Sequence, residues 1–202
     1  MMKYRTKLIP LLFGLVLIAS GVSACGSKQE EVQTSGIAIN ENMEIEALVV
    51  ESFDETVYDV NELKAMMDSE ANEYNSTNGA GKITAGEAVV TEGKVSATMI
   101  YQTADDYASF NRRYLKLKEL SEAVKAGDIN VALRSTKEDL VVNPASIEDM
   151  SGLYLVVTDE VGTVTCPGKV QYISDGVEIQ TKNVVSVTDN MDGLAYIVFK
   201  MK

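Results

Sequence analysis

The chain has 202 residues, 30 acids against 18 Lys and Arg, two cysteines, no histidine and no tryptophan. A net charge of −12 argues against nucleic acid, whose binding rests on Lys and Arg neutralising phosphate. The absence of histidine removes Ser-His-Asp and Cys-His nucleophilic pairs, imidazole zinc sites and every imidazole base.

The first element is a leader. Lys3, Arg5 and Lys7 precede an apolar run from Leu8 to Ala19, and no acid occurs before Glu30. A basic start, an apolar stretch and small residues at its end predict a secretory signal peptide over residues 1–24. The run is short for a span, which needs about 20 residues to cross the hydrocarbon. An uncut N-terminal anchor is the less favoured alternative. Removing residues 1–24 takes away three basic residues and no acid, leaving 15 Lys+Arg against 30 Asp+Glu, a net of −15. Such a surface keeps a tethered domain soluble, and it also suits cations or basic peptides.

Val22-Ser23-Ala24-Cys25 follows the apolar run. It resembles the lipobox of bacterial lipoproteins, with Val22 where leucine is usual. That resemblance implies a diacylglycerol on the Cys25 thiol and cleavage just before it. One acyl chain anchors only marginally, at about 0.8 kcal/mol per buried CH₂, whereas two chains on one residue hold stably. With Cys25 lipidated, Cys166 has no disulfide partner. A lone cysteine reads as a small buried hydrophobe, since only Lys169 is a nearby base in sequence.

Residues 25–43 are polar and read as the lipidated cysteine and a flexible tether. Beyond them the fold class expected is α+β. A β-α-β-β-α-β portion spans 44–128 and a mostly antiparallel β portion spans 129–202, with one continuous domain over 44–202 as the alternative. "EIEALVVE" reads as a strand. Asp59 caps a helix whose stripe is Val60, Leu63, Met67, Ala71 and Tyr74, closed by Asn78-Gly79. "EAVVTEGKVSATMIYQ" is a hairpin about Glu92-Gly93. Thr103 caps a short helix. "RYLKLK" is a strand with Tyr114, Lys116 and Lys118 on one side and Leu115 and Leu117 on the other. "ELSEAVKAG" is a helix ending at Gly127. This order is that of a ferredoxin-like split βαβ unit. From Asn130 onward, "VALRS", "LYLVVTD", "GTVTC", "KVQYIS", "VEIQ", "VVSVT" and "LAYIVFK" are strands between turn residues.

Three motifs invite chemistry and fail on detail. "GAGKIT" (79–84) lacks the hydroxyl residue after its lysine and leads into a strand, so it is a loop rather than a phosphate cradle. "DNMDG" (189–193) breaks the alternation of oxygens a calcium loop needs. Asp105-Asp106 suits the first turn of a helix. Tyr101, Tyr107, Phe110 and Tyr114 read as core, with an aromatic binding groove as the alternative. No catalytic residue, metal ligand or cofactor site is assigned.

The whole chain resembles the small lipoproteins of unassigned function of Gram-positive, clostridial-type anaerobes. The stretches that carry this are "VSACGS", "YDVNELKAMM", "EYN", "MIYQTADDYASFN", "ELSEAVKAG" and "AYIVFK". The resemblance implies lipidation at Cys25 and a place on the outer face of the cytoplasmic membrane. The function expected is a lipid-anchored binding or scaffolding module of the cell envelope, not an enzyme. Its partners are the membrane, through Cys25, and an envelope protein, peptide or glycan, with no nucleic acid. A receptor for a small ligand or cation and a histidine-free carboxylate hydrolase are the alternatives.

Overall fold

The computed structural model describes residues 34–188 and 193–201. The expected signal peptide, Cys25, residues 26–33 of the expected tether and most of the 189–193 stretch lie outside the described residues.

The class is α+β, with two mostly antiparallel sheets. The elements in order are β1 (Gly36–Ile39), β2 (Ile45–Ser52), α1 (Val60–Asn78), β3 (Ile83–Thr91), β4 (Lys94–Tyr101), α2 (Ala104–Asn111), β5 (Leu115–Glu119) and α3 (Leu120–Ala126). Then follow β6 (Leu133–Ser135), β7 (Val141–Val142), a 3-10 turn at Pro144–Ser146, β8 (Leu153–Thr158), β9 (Gly162–Thr165), β10 (Lys169–Ile173), β11 (Val177–Ile179), β12 (Val184–Val187) and β13 (Ala195–Lys200). The first sheet runs β11-β12-β9-β1-β2-β4-β3 and the second β5-β8-β13-β10-β6-β7.

The local signals act as their chemistry predicts. The Asp59 side chain accepts from Asn61 N at the start of α1, and Thr103 accepts from Asp106 N at the start of α2. Gly127 ends α3 in the left-handed conformation. The β3–β4 hairpin turns on Glu92 (φ 52°) and Gly93 (φ 74°), the pair of positive angles that a two-residue primed turn needs. Glutamate is a poor residue for the first of these places. Glu92→Asn is therefore expected to raise stability by about 0.5 kcal/mol, read as a higher urea midpoint. A lower midpoint would contradict it.

Two expectations change. Residues 36–39 fall inside the stretch read as tether, yet they form β1. It pairs antiparallel with β2 and parallel with β9, the latter more than 120 residues away in sequence. Its short GIAI pattern carries little local signal, and those distant partners supply the pairing. The β-α-β-β-α-β order along the chain is present, but its strand pairing departs from a ferredoxin-like unit at the last strand. β2-β4-β3 are neighbours as that unit requires, but β1 takes the place beside β2, and β5 pairs with β8 in the other sheet. β7 is a further strand that the sequence did not signal.

Strands from both sides of residue 128 share each sheet. Past β8 the chain alternates between sheets: β9 in the first, β10 in the second, β11 and β12 in the first, β13 in the second. One core therefore lies between the sheets, built from Ile37, Ile45, Val164, Val185, Ile197, Phe199 and their neighbours. A second core lies on the far side of β8 and β13, where Leu120 and Ala123 of α3 meet Leu153, Leu155 and Val157. β8 and β13 are thus covered on both faces, and their sequences are almost continuously apolar as a result.

Candidate functional site

The helix α2 carries the polar chemistry of this fold. Its aromatic face is core rather than groove. Tyr101 and Tyr107 are buried, their rings 5.0 Å apart edge to face, and Phe110 packs on both Tyr101 and Tyr74 at ring distances of 5.8 and 5.7 Å. Tyr114 stands apart from them, half-buried against the second core.

At the C-terminal end of α2 a carboxylate is buried. Glu160 is 7 % exposed. The Tyr107 hydroxyl donates to its Oε1 at 2.6 Å, and Arg113 Nε lies 3.5 Å from the same atom. The Glu160 amide donates to Thr158 Oγ1 at 3.0 Å, while neighbouring Asp159 accepts from the Tyr114 amide at 2.9 Å. Asp159-Glu160, whose residue types suit a turn between strands, clamps the β8–β9 connection to the α2 end of the fold. Burial raises the Glu160 carboxyl above its ordinary value, with Tyr107 and Arg113 opposing the rise. Burial likewise holds the Tyr107 phenol above the usual range, and the Glu160 charge adds to it.

A raised acid binds its proton more tightly in the folded state than in the unfolded chain. The stability it contributes is complete below the unfolded value, 4.5, and is lost as pH climbs through the folded value. Replacing Glu160 by Gln removes this slope. Urea midpoints measured from pH about 4 to about 8 should show wild type losing ground to the Glu160→Gln variant as pH rises. A gain for wild type over that interval would mean the carboxyl is stabilised as an anion.

At the N-terminal end of α2 lies Asp106, also buried. It accepts from Thr103 Oγ1 at 2.6 Å and from the Tyr74 hydroxyl at 3.4 Å, with Lys82 Nζ at 3.6 Å. Asp106 is thus a structural acid, fully used in fixing the start of α2 against α1 and β3.

Beside it opens a cleft of about 460 Å³. Asn42 and Met43 of the β1–β2 turn form one wall, Gln102 to Asp105 at the start of α2 another. Lys116, Leu117 and Lys118 of β5 line it with Tyr154 of β8. Asp105 is the carboxylate of this lining. Two residues after α3 ends, Asp128 takes both lysines: Lys116 Nζ at 2.6 Å and Lys118 Nζ at 2.7 Å. Hydrogen bonds to Lys116 and then Lys118 hold the Asp128 carboxyl below its usual range. The bond to Asp128, and next the one to Tyr114, holds the Lys116 ammonium above its own. The Lys116 ammonium therefore stays cationic at physiological pH.

β5 is the end strand of its sheet. Asp159 N donates to Tyr114 O, and the register pairs Leu115 with Thr158, Lys116 with Val157 and Leu117 with Val156. Antiparallel pairs alternate between bonded and non-bonded. Tyr114 thus bonds Asp159, Lys116 and Lys118 spend their backbone groups on β8, and the N–H and C=O of Leu117 turn to the open edge of the sheet.

Cys166 is 1 % exposed, and burial pushes its thiol up to about 12, which leaves it an inert core residue. The "GAGKIT" stretch is the turn after α1 leading into β3. Among the described residues no group of three or more Asp, Glu, Cys or His side chains is placed to hold a metal, and no helix is long and apolar enough to cross a membrane. Sequence reasoning put Lys116 and Lys118 on one face of their strand. It did not find the cleft, Asp128 or the buried state of Glu160. No family model, curated protein or solved structure matches the chain.

Proposed function

We propose that this protein is a lipid-anchored binding module on the outer face of the cytoplasmic membrane, with the cleft between α2 and β5 as its binding site. The observation that carries the address is Val22-Ser23-Ala24-Cys25 at the end of a basic-then-apolar leader. The acidic fold that follows supports a solvated, tethered domain. The cleft supports binding rather than hydrolysis, because its lining supplies amides, lysines and a phenol around one carboxylate instead of a facing pair. An envelope protein or peptide is the partner class this favours.

Two measurements test it. Cells fed a labelled fatty acid should label the wild type, and a Cys25→Ser variant should lose both the label and its place in the membrane fraction. A Cys25→Ser variant that keeps both would sink the anchor. A photo-crosslinking residue at position 105, on the cleft wall, should give adducts on intact cells that the same residue at position 66, exposed on α1, does not. Equal adducts from both would remove the cleft from the proposal.

A further inference from the structure

Resting on the reading of the chain as a binding module, we infer that the cleft receives an extended peptide as an added strand along β5, one that alternates apolar and acidic side chains. The backbone argument comes first. Leu117 offers an outward N–H and C=O on an edge with no neighbouring strand, and the same residue lines a cleft of about 460 Å³. An extended chain laid there closes both bonds, as strand-addition ligands do.

The side chains then select the ligand. Successive residues of an added strand alternate between the two faces of the sheet. On the Leu117 face they meet Met43 and Ala104, which favours apolar residues. On the opposite face they meet Lys116 and Lys118. Those two ammoniums share the single carboxylate of Asp128, so the cluster keeps one net positive charge. Each ammonium has three N–H donors; Lys118 spends one on Asp128, and Lys116 spends one on Asp128 and one on Tyr114, which leaves two donors and one for an incoming carboxylate. Asp105 on the wall and Glu119 at the strand end carry the opposite sign, which confines the match for acids to the positions facing Lys116 and Lys118.

Lysine on an edge strand ordinarily guards it against pairing. Here the same lysines act as a filter. They oppose an apolar or basic strand and accept one bearing glutamate or aspartate at alternate places. The other sheet edges are defended differently. β3 is interrupted by an irregularity between Ala85 and Ala88, and β7 and β11 are two and three residues long.

The test uses the full chain in detergent micelles and a synthetic nonapeptide alternating valine and glutamate. Hydrogen exchange is read residue by residue. In the free protein the Leu117 amide should exchange fast while Lys116 and Lys118 are protected by β8. On saturation with the peptide the Leu117 amide should slow at least about tenfold, with Lys116 and Lys118 unchanged. A valine–lysine nonapeptide should bind at least about tenfold more weakly, as should the valine–glutamate peptide N-methylated at alternate residues.

Leu117→Pro deletes the outward N–H without touching the ladder to β8 and should abolish binding. Lys118→Glu, which exchanges one of the two cations on Asp128 for an anion, should reverse the preference toward the valine–lysine peptide. A Leu117 amide already protected in the free protein, or unchanged at high peptide, or a valine–lysine peptide that binds wild type equally well, overturns strand addition. None of these outcomes depends on the lipid at Cys25. Loss of the anchor with intact peptide binding would sink the address alone, and crosslinking from position 105 without peptide binding would sink strand addition alone.

Discussion

Replacing Phe199 by alanine should lower the unfolding free energy by about 3–5 kcal/mol. Phe199 is completely buried on β13, between β8 and β10. Its ring stacks on Tyr154 at 5.7 Å and 20°, and it belongs to the core between the sheets. Both layers lose contacts when it is cut back, and the flanking backbone is held on two sides by ladder bonds, so the space cannot close easily. A domain of this kind has about 5–15 kcal/mol in total, so the change takes a large share of it. Urea unfolding checks the figure. Phe199→Leu, which keeps most of the volume, should lose much less. A loss below about 1 kcal/mol for the alanine variant would mean that the two sheets do not pack through this residue. The same experiment bears on function, because Tyr154 also lines the cleft. The alanine variant should loosen that wall while leaving β5 in place.

The second large effect is expected from Gly168→Ala, at about 3 kcal/mol. Gly168 lies in the three-residue link that carries the chain from β9 in one sheet to β10 in the other. A Cβ there would sit 1.9 Å from the Lys200 carbonyl oxygen and 2.7 Å from its carbonyl carbon. Those are backbone atoms at the end of β13, opposite the start of β10, and they cannot swing aside as a side chain would. Either the link or the β10–β13 ladder must move. Gly79 is the control. Its φ is 113°, but a Cβ there meets nothing within 4 Å, so Gly79→Ala carries backbone strain alone, about 1 kcal/mol. Parallel thermal or urea unfolding of the two variants separates a close approach from a preference of angle. Equal losses would refute the close approach.

Much of the local structure was legible in the residues themselves. Asp59 and Thr103 offer cap oxygens, Glu92-Gly93 offers a tight turn, and the stripe through Met67 and Ala71 faces inward from α1. The alternation in "RYLKLK" separates Leu115 from Lys116 as the strand does. Such features depend on neighbours a few positions away, which the sequence displays directly. The candidate site was only half legible. Its lysines could be seen, but the cleft needs the β1–β2 turn, α2, β5 and β8 to meet, and those come from positions 42 to 154. Glu160 reads as a turn acid because nothing local says that Tyr107, more than 50 residues earlier, will cover it.

By itself the sequence determined the order and type of most elements, the acidic balance and the absence of imidazole chemistry. Tertiary structure alone decided that Gly36–Ile39 becomes a strand, that β5 leaves the sheet of its ferredoxin-like companions, and that the later strands alternate between layers. A two-residue period fixes which side of a strand is apolar, and it is silent about which strand lies alongside. That choice belongs to hydrogen bonds and packing between distant segments. It also leaves the Leu117 edge of β5 open, and the proposed binding site follows from that edge.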